Sequence, residues 1–163
     1  MSQREAEQPP VTLQTASASS VIALGVASSF VLSDPVTDRP LANTPYYIVF
    51  HDRRIVRVAP DSTALGDRAA TGVSDARGRT STIWLDAPDS GDHVPVERIG
   101  HGEYGDLFVV KSALVTNVEE QRRYEIRGCA SQDTYRGTLN RQGYTVYFAS
   151  DTPCQIRVRI SDQ

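Results

Sequence analysis

One pattern of residues occurs twice in this chain, and a doubled pattern constrains the fold before any single residue does. Phe30-Val-Leu32, Tyr46-Tyr-Ile48, Gly78-Arg-Thr80 and Trp84-Leu-Asp-Ala-Pro88 reappear as Phe108-Val-Val110, Tyr124-Glu-Ile126, Gly143-Tyr-Thr145 and Phe148-Ala-Ser-Asp-Thr-Pro153. From Phe30 to Ile48 the offset to the second copy is a constant 78 residues, and from Gly78 to Pro88 it is 65. The two offsets differ by 13, which places one longer loop in the first copy, between His51 and Thr71. The expectation is two copies of one supersecondary unit.

The local signal inside each copy has period two. Ile156, Val158 and Ile160 alternate with Arg157 and Arg159, as a half-buried strand does, and Tyr144 to Ala149 alternates in the same way. Tyr46 to Phe50 is apolar throughout, the pattern of a strand covered on both faces. Asp34-Pro35, Ala76-Arg-Gly78, Pro88-Asp-Ser-Gly91 and Arg141-Gln-Gly143 supply turns, because Gly adopts positive φ and Pro presets its own. The fold class expected is all-β. Strands are predicted near 20–33, 45–50, 54–58, 71–75, 80–86 and 94–99, then 106–115, 122–128, 135–139, 144–149 and 154–160. Residues 1–18 read as a disordered leader, 19–103 as the first copy and 104–163 as the second. The copies form two sandwiches or one, with exchange of strands near the 94–115 junction.

A chain of 163 residues, 39% of them hydrophobic, can bury a sizeable core. Its net charge of −3 gives no electrostatic case for nucleic acid or an anionic membrane. No segment is long and apolar enough for a membrane helix. Val21 to Leu32 is the most apolar run, but acidic Glu5 and Glu7 precede it where a signal peptide carries positive charge, so it reads as strand. The location expected is cytoplasmic, or exported without a signal peptide. The charge is uneven. Arg122, Arg123, Arg127, Arg136, Arg141, Arg157 and Arg159 crowd the last third against Glu125, Asp133 and Asp151. They are either the solvent side of alternating strands or a basic face for an acidic protein partner. Guanidinium forks suit bidentate contacts to carboxylates.

The residues Thr37-Asp-Arg-Pro-Leu-Ala-Asn-Thr-Pro-Tyr46, the strand Tyr-Ile-Val-Phe50 after them, and Gly72-Val-Ser-Asp-Ala-Arg-Gly-Arg-Thr80 make the chain resemble a transthyretin-like (prealbumin-like) bacterial domain. The match covers 29–86 in the first copy and 135–160 in the second, where Val118-Glu-Glu120 replaces the Pro-Leu-Ala element. The resemblance implies tandem transthyretin-like or Ig-like β-sandwich repeats and a setting in type VI secretion. There such a domain is an adaptor or carried module that docks a secreted effector or spike component. An immunity-type inhibitor of a secreted toxin is an alternative. A transthyretin-like hydrolase is another, since Tyr135-Arg-Gly-Thr138 is similar to the closing tetrapeptide of hydroxyisourate hydrolases. In those enzymes the tetrapeptide ends the chain and the first strand bears a His; here 25 residues follow and Ser28 to Asp34 has none.

No reactive constellation is evident, so the chain is expected to be no enzyme and to use no cofactor or metal. His93, Glu97 and His101 would align on a helix, which Pro95 and Gly100 oppose, and on a strand they spread over about 26 Å. His51 stands apart, and neither a nucleophile elbow nor a phosphate loop is present. Cys129 and Cys154 are either a disulfide pair or two buried thiols. Trp84, the one tryptophan, is a buried side chain or an exposed anchor. The loop of the 13-residue difference carries Arg53, Arg54 and Arg57. With Trp84, Arg122, Arg123, Arg157 and Arg159, these are the expected partner-binding residues.

Overall fold

A computed structural model describes residues 25–110, 122–128 and 134–161. Every regular element among these residues is a strand, so the chain is all-β, as its period-two patterning requires. Among the described residues twelve strands form three sheets. β1 (Val26–Ser28), β6 (Ile83–Leu85) and β3 (Ile55–Val58) make one, in the order β1-β6-β3. β10 (Tyr135–Thr138), β9 (Arg123–Gly128) and β12 (Ile156–Ser161) make the second, in the order β10-β9-β12. The third has six strands: β4 (Thr63–Ala64), β5 (Ala69–Val73), β2 (Pro45–Phe50), β7 (His93–Gly100), β11 (Tyr147–Ser150) and β8 (Tyr104–Asp106).

Both three-stranded sheets cover the same face of the long one. Tyr46, Ile48 and Phe50 on β2 pack with Ile83 and Leu85 on β6, together with Phe30, Leu32, Ile55 and Ala70. Tyr46 pairs with Glu97 on β7, and Ile99, two residues on, pairs with Phe148 on β11. Paired residues share a face, and residues two apart share it too, so Phe148 lies on the face of Tyr46. Phe148 packs in a second core with Tyr124, Ile126, Leu139, Val158 and Ile160. The opposite face of the six-stranded sheet gathers Tyr47, Val49, Val94, Val96, Tyr147 and Ala149. Tyr47 and Tyr147 stack there, rings 3.9 Å apart and 6° from parallel. That cluster explains the unbroken apolar run in β2, since side chains on both of its faces have partners.

Corresponding strand pairs occur in both halves. Ser28 pairs with Ile83, and Asp106 with Phe148; Tyr46 pairs with Gly72, and Tyr124 with Gly137. Each of those residues stands 78 or 65 positions from its counterpart. The correspondence stops at β3 and β4, which lie inside the longer loop of the first half. In the first half β3 covers the free edge of β6. In the second half β7 takes that place, running parallel to β11 while it also pairs antiparallel with β2. One eight-residue strand therefore serves both halves and makes their sheets continuous.

The turn in each pattern has a local cause. Oδ1 of Asp75 accepts the Arg77 and Arg79 N–H groups at 2.8 and 2.9 Å, and Oδ1 of Asn140 accepts those of Gln142 and Tyr144 at 3.0 and 2.8 Å. Each turn closes on a glycine in the left-handed region, Gly78 at φ 80° and Gly143 at φ 88°. The buried threonine after each turn then accepts a phenylalanine N–H, Thr80 from Phe30 and Thr145 from Phe108, both at 3.0 Å.

Several elements differ from expectation. The strand expected at 20–33 contributes β1 and isolated bridges at Val31 and Ser33 within the described residues. The one expected at 106–115 appears as β8, with a bridge at Val109; it starts two residues earlier because Tyr104 to Asp106 follows the edge of β11. β4 was not expected, its two exposed residues being too few to carry a periodic pattern. The leader at 1–18 lies outside the described residues.

Candidate functional site

The outer face of the β10-β9-β12 sheet concentrates positive charge. On β9, Arg123 and Arg127 alternate with buried Tyr124 and Ile126; on β12, Arg157 and Arg159 alternate with Ile156, Val158 and Ile160, which pack inward. Arg136 on edge strand β10 is also exposed. The register puts Arg157 opposite Arg127, Arg159 opposite Glu125, and Arg136 opposite Glu125 from the other side. Five guanidinium groups thus surround one carboxylate. Arg136 Nε donates to Glu125 Oε1 at 3.0 Å, and with the charges of Arg136, Arg127 and Arg159 it holds that carboxyl below its usual range. Arg122, just before β9, is half-buried.

Of the expected residues of the first half, Arg57 and Trp84 sit on the β1-β6-β3 sheet, and Arg53 and Arg54 on the loop that leads into β3. Arg53 donates to the Pro88 carbonyl at 2.6 Å and to its neighbour Asp52 at 2.8 Å, so its fork is occupied. Arg54 is exposed, 3.9 Å from Asp67. Arg57 lies over Trp84, guanidinium carbon 4.0 Å from the ring centroid. Trp84 points away from buried Ile83 and Leu85 and is half-buried under that arginine. Strand alternation thus brings Arg123, Arg157 and Arg159 onto one face, while Arg57 and Trp84 pair elsewhere and Arg53 and Arg54 make separate contacts. Cys154 is disulfide-bonded; Cys129 lies outside the described residues.

The histidines do not converge. His51 Nε2 lies 3.0 Å from the Tyr144 hydroxyl, joining the two halves. His93 packs on Phe30 with Nδ1 2.8 Å from Asp89 Oδ2, a contact without hydrogen-bond alignment. His101 is exposed beside Asp151 at 3.1 Å. Among the described residues no three His, Cys, Asp or Glu side chains are grouped to hold a metal ion. Nor is any helix there long and apolar enough to cross a membrane.

A cleft of about 420 Å³ opens between the halves. Its floor is β7 at Pro95 to Glu97; the walls are the Val31–Leu41 loop and the segment from Tyr135 to Val146. Glu97 is half-buried with no hydrogen bond or ion pair among the described residues. Burial, then the nearby charge of Asp34, push its carboxyl above the usual value. The Asp34 carboxyl is held below its own, chiefly by the Thr37 N–H at 2.8 Å. Tyr124 and Tyr135 are raised, mainly by burial.

No protein-family model, no curated protein and no solved structure matches the chain. The cleft is not legible in the sequence, where Glu97 stands midway between His93 and His101 and suggests only a metal ligand. The available signal was Glu97 as the one acid of the strand His93–Gly100, following Val94, Pro95 and Val96.

Proposed function

We propose that this protein is a non-enzymatic module that binds another protein, and that the arginine face of the β10-β9-β12 sheet docks an acidic surface of that partner. The observation that carries this reading is Arg157 placed directly opposite Arg127 on an exposed, extended face. Like charges in that relation destabilise a sheet, so the arrangement gains from an external anion. Guanidinium groups favour planar carboxylates, which they grip with two hydrogen bonds. The sequence resemblance supports the narrower proposal of an adaptor or carried domain of type VI secretion that docks an effector or spike component.

The experiment maps the binding of a short oligo-glutamate peptide on the full chain by amide NMR shifts. Saturable changes confined to β9, β10 and β12 are expected. Shifts elsewhere, or tighter binding to heparin or to phosphatidylserine vesicles, would contradict the reading.

A further inference from the structure

We propose that the cleft between the two halves is a binding site for an ammonium or guanidinium group carried on an apolar stem. Its origin is topological. β7 pairs with β11 from Arg98 onward, where Arg98 faces Tyr147. The chain leading into β11 instead bridges Val109 at Tyr144, so it parts from β7 and leaves an opening beside Pro95 to Glu97.

What lines that opening has a definite chemistry. Glu97 brings a half-buried carboxylate with no bonded partner to the floor, and Asp34 faces it from the wall. The N–H bonds from Val36 and Thr37, both 2.8 Å, favour the ionised form of Asp34. Leu41, Val36 and Val146 give the walls apolar surface, and the aromatic side chain of Tyr135 also lines them. Arg141 also borders the cleft, but it is exposed and makes no ion pair with either acid among the described residues. A hydrated metal ion gains nothing from such apolar walls, whereas an alkyl chain ending in a cation uses walls and floor together.

The test titrates the full chain with n-butylguanidinium and with its neutral counterpart n-butylurea, following amide shifts by NMR. The cation is expected to shift Val96, Glu97 and Tyr135 saturably, and the urea is expected not to. Glu97→Gln should weaken the cation about tenfold, the loss of one charge-assisted contact, while Glu103→Gln on the exposed surface should not. Equal binding of the urea, unchanged binding by Glu97→Gln, or saturation elsewhere would overturn the proposal. The urea comparison uses the native chain and does not depend on how the variant folds. A third arm, N-acetyl-arginine methylamide, separates the sources. Tighter binding than butylguanidinium identifies a side chain of a protein partner; equal or weaker binding identifies a small organic cation.

Discussion

Arg127 and Arg157 are direct partners across β9 and β12, two cations facing each other on the solvent side of one sheet. Nothing in the fold requires that pair, since the inward residues Ile126 and Val158 do the packing. Replacing one cation by an anion turns repulsion into attraction. Arg157→Glu is therefore expected to stabilise the domain by about 0.5 kcal/mol, read as a higher urea midpoint. A lower midpoint would show that the arginines serve the fold.

Tyr46 and Tyr124 occupy matching places but differ in their hydrogen bonding. Each hydroxyl lies where a side chain on the facing glycine would stand, 2.6 Å from a Cβ built at Gly72 and 2.7 Å from one at Gly137. The Tyr124 hydroxyl accepts the Val146 N–H at 3.0 Å, whereas the buried Tyr46 hydroxyl has no partner among the described residues. Tyr124→Phe is expected to cost about 1–3 kcal/mol by leaving a donor unsatisfied. Tyr46→Phe should be neutral or stabilising, and should recover part of the cost of Gly72→Ala when the two are combined. Chemical denaturation checks all three, and equal losses from the two tyrosines would contradict the assignment.

Glu97 has a definite sign in the pH dependence of stability. Its folded carboxyl titrates above the 4.5 of an unperturbed glutamate, so the folded state binds the proton more tightly than the unfolded chain. The resulting stability is fully present below 4.5 and is lost as pH rises through the folded value. Glu97→Gln should therefore raise the melting temperature most near neutral pH, with the gain shrinking as pH falls below that window. A variant less stable than the native protein at neutral pH would show that Glu97 has a partner in solution.

Trp84 reports on its own environment, being the only tryptophan. Arg57→Ala removes the guanidinium over its ring and should red-shift the emission, increase quenching by acrylamide and cost about 0.5–1 kcal/mol. Unchanged fluorescence would mean that Arg57 leaves the ring in solution.

Much of the fold was legible because it rests on local causes. Asp75-x-x-Gly78 and Asn140-x-x-Gly143 build the same turn from a side-chain acceptor and a left-handed glycine, and both show in the sequence. The arginine face was legible too, because Arg157 and Arg159 alternate with apolar residues. What stayed hidden depends on partners far apart in the chain. That β7 joins β2 to β11 is a matter of which edges remain free once β3 has covered β6, and no local pattern encodes that choice. The cleft is hidden for the same reason, since Glu97 meets Asp34 and Tyr135 only through that shared strand.

Affinity for an oligo-glutamate peptide, measured against salt concentration, tests the docking face most directly. Native protein should bind with an affinity that falls steeply as salt rises, and replacing Arg123, Arg127 and Arg157 by serine should lower the low-salt affinity by at least about tenfold while the folded state melts no lower than before. Equal binding by the two proteins, with the same salt slope, would contradict the assignment of this face as the docking surface.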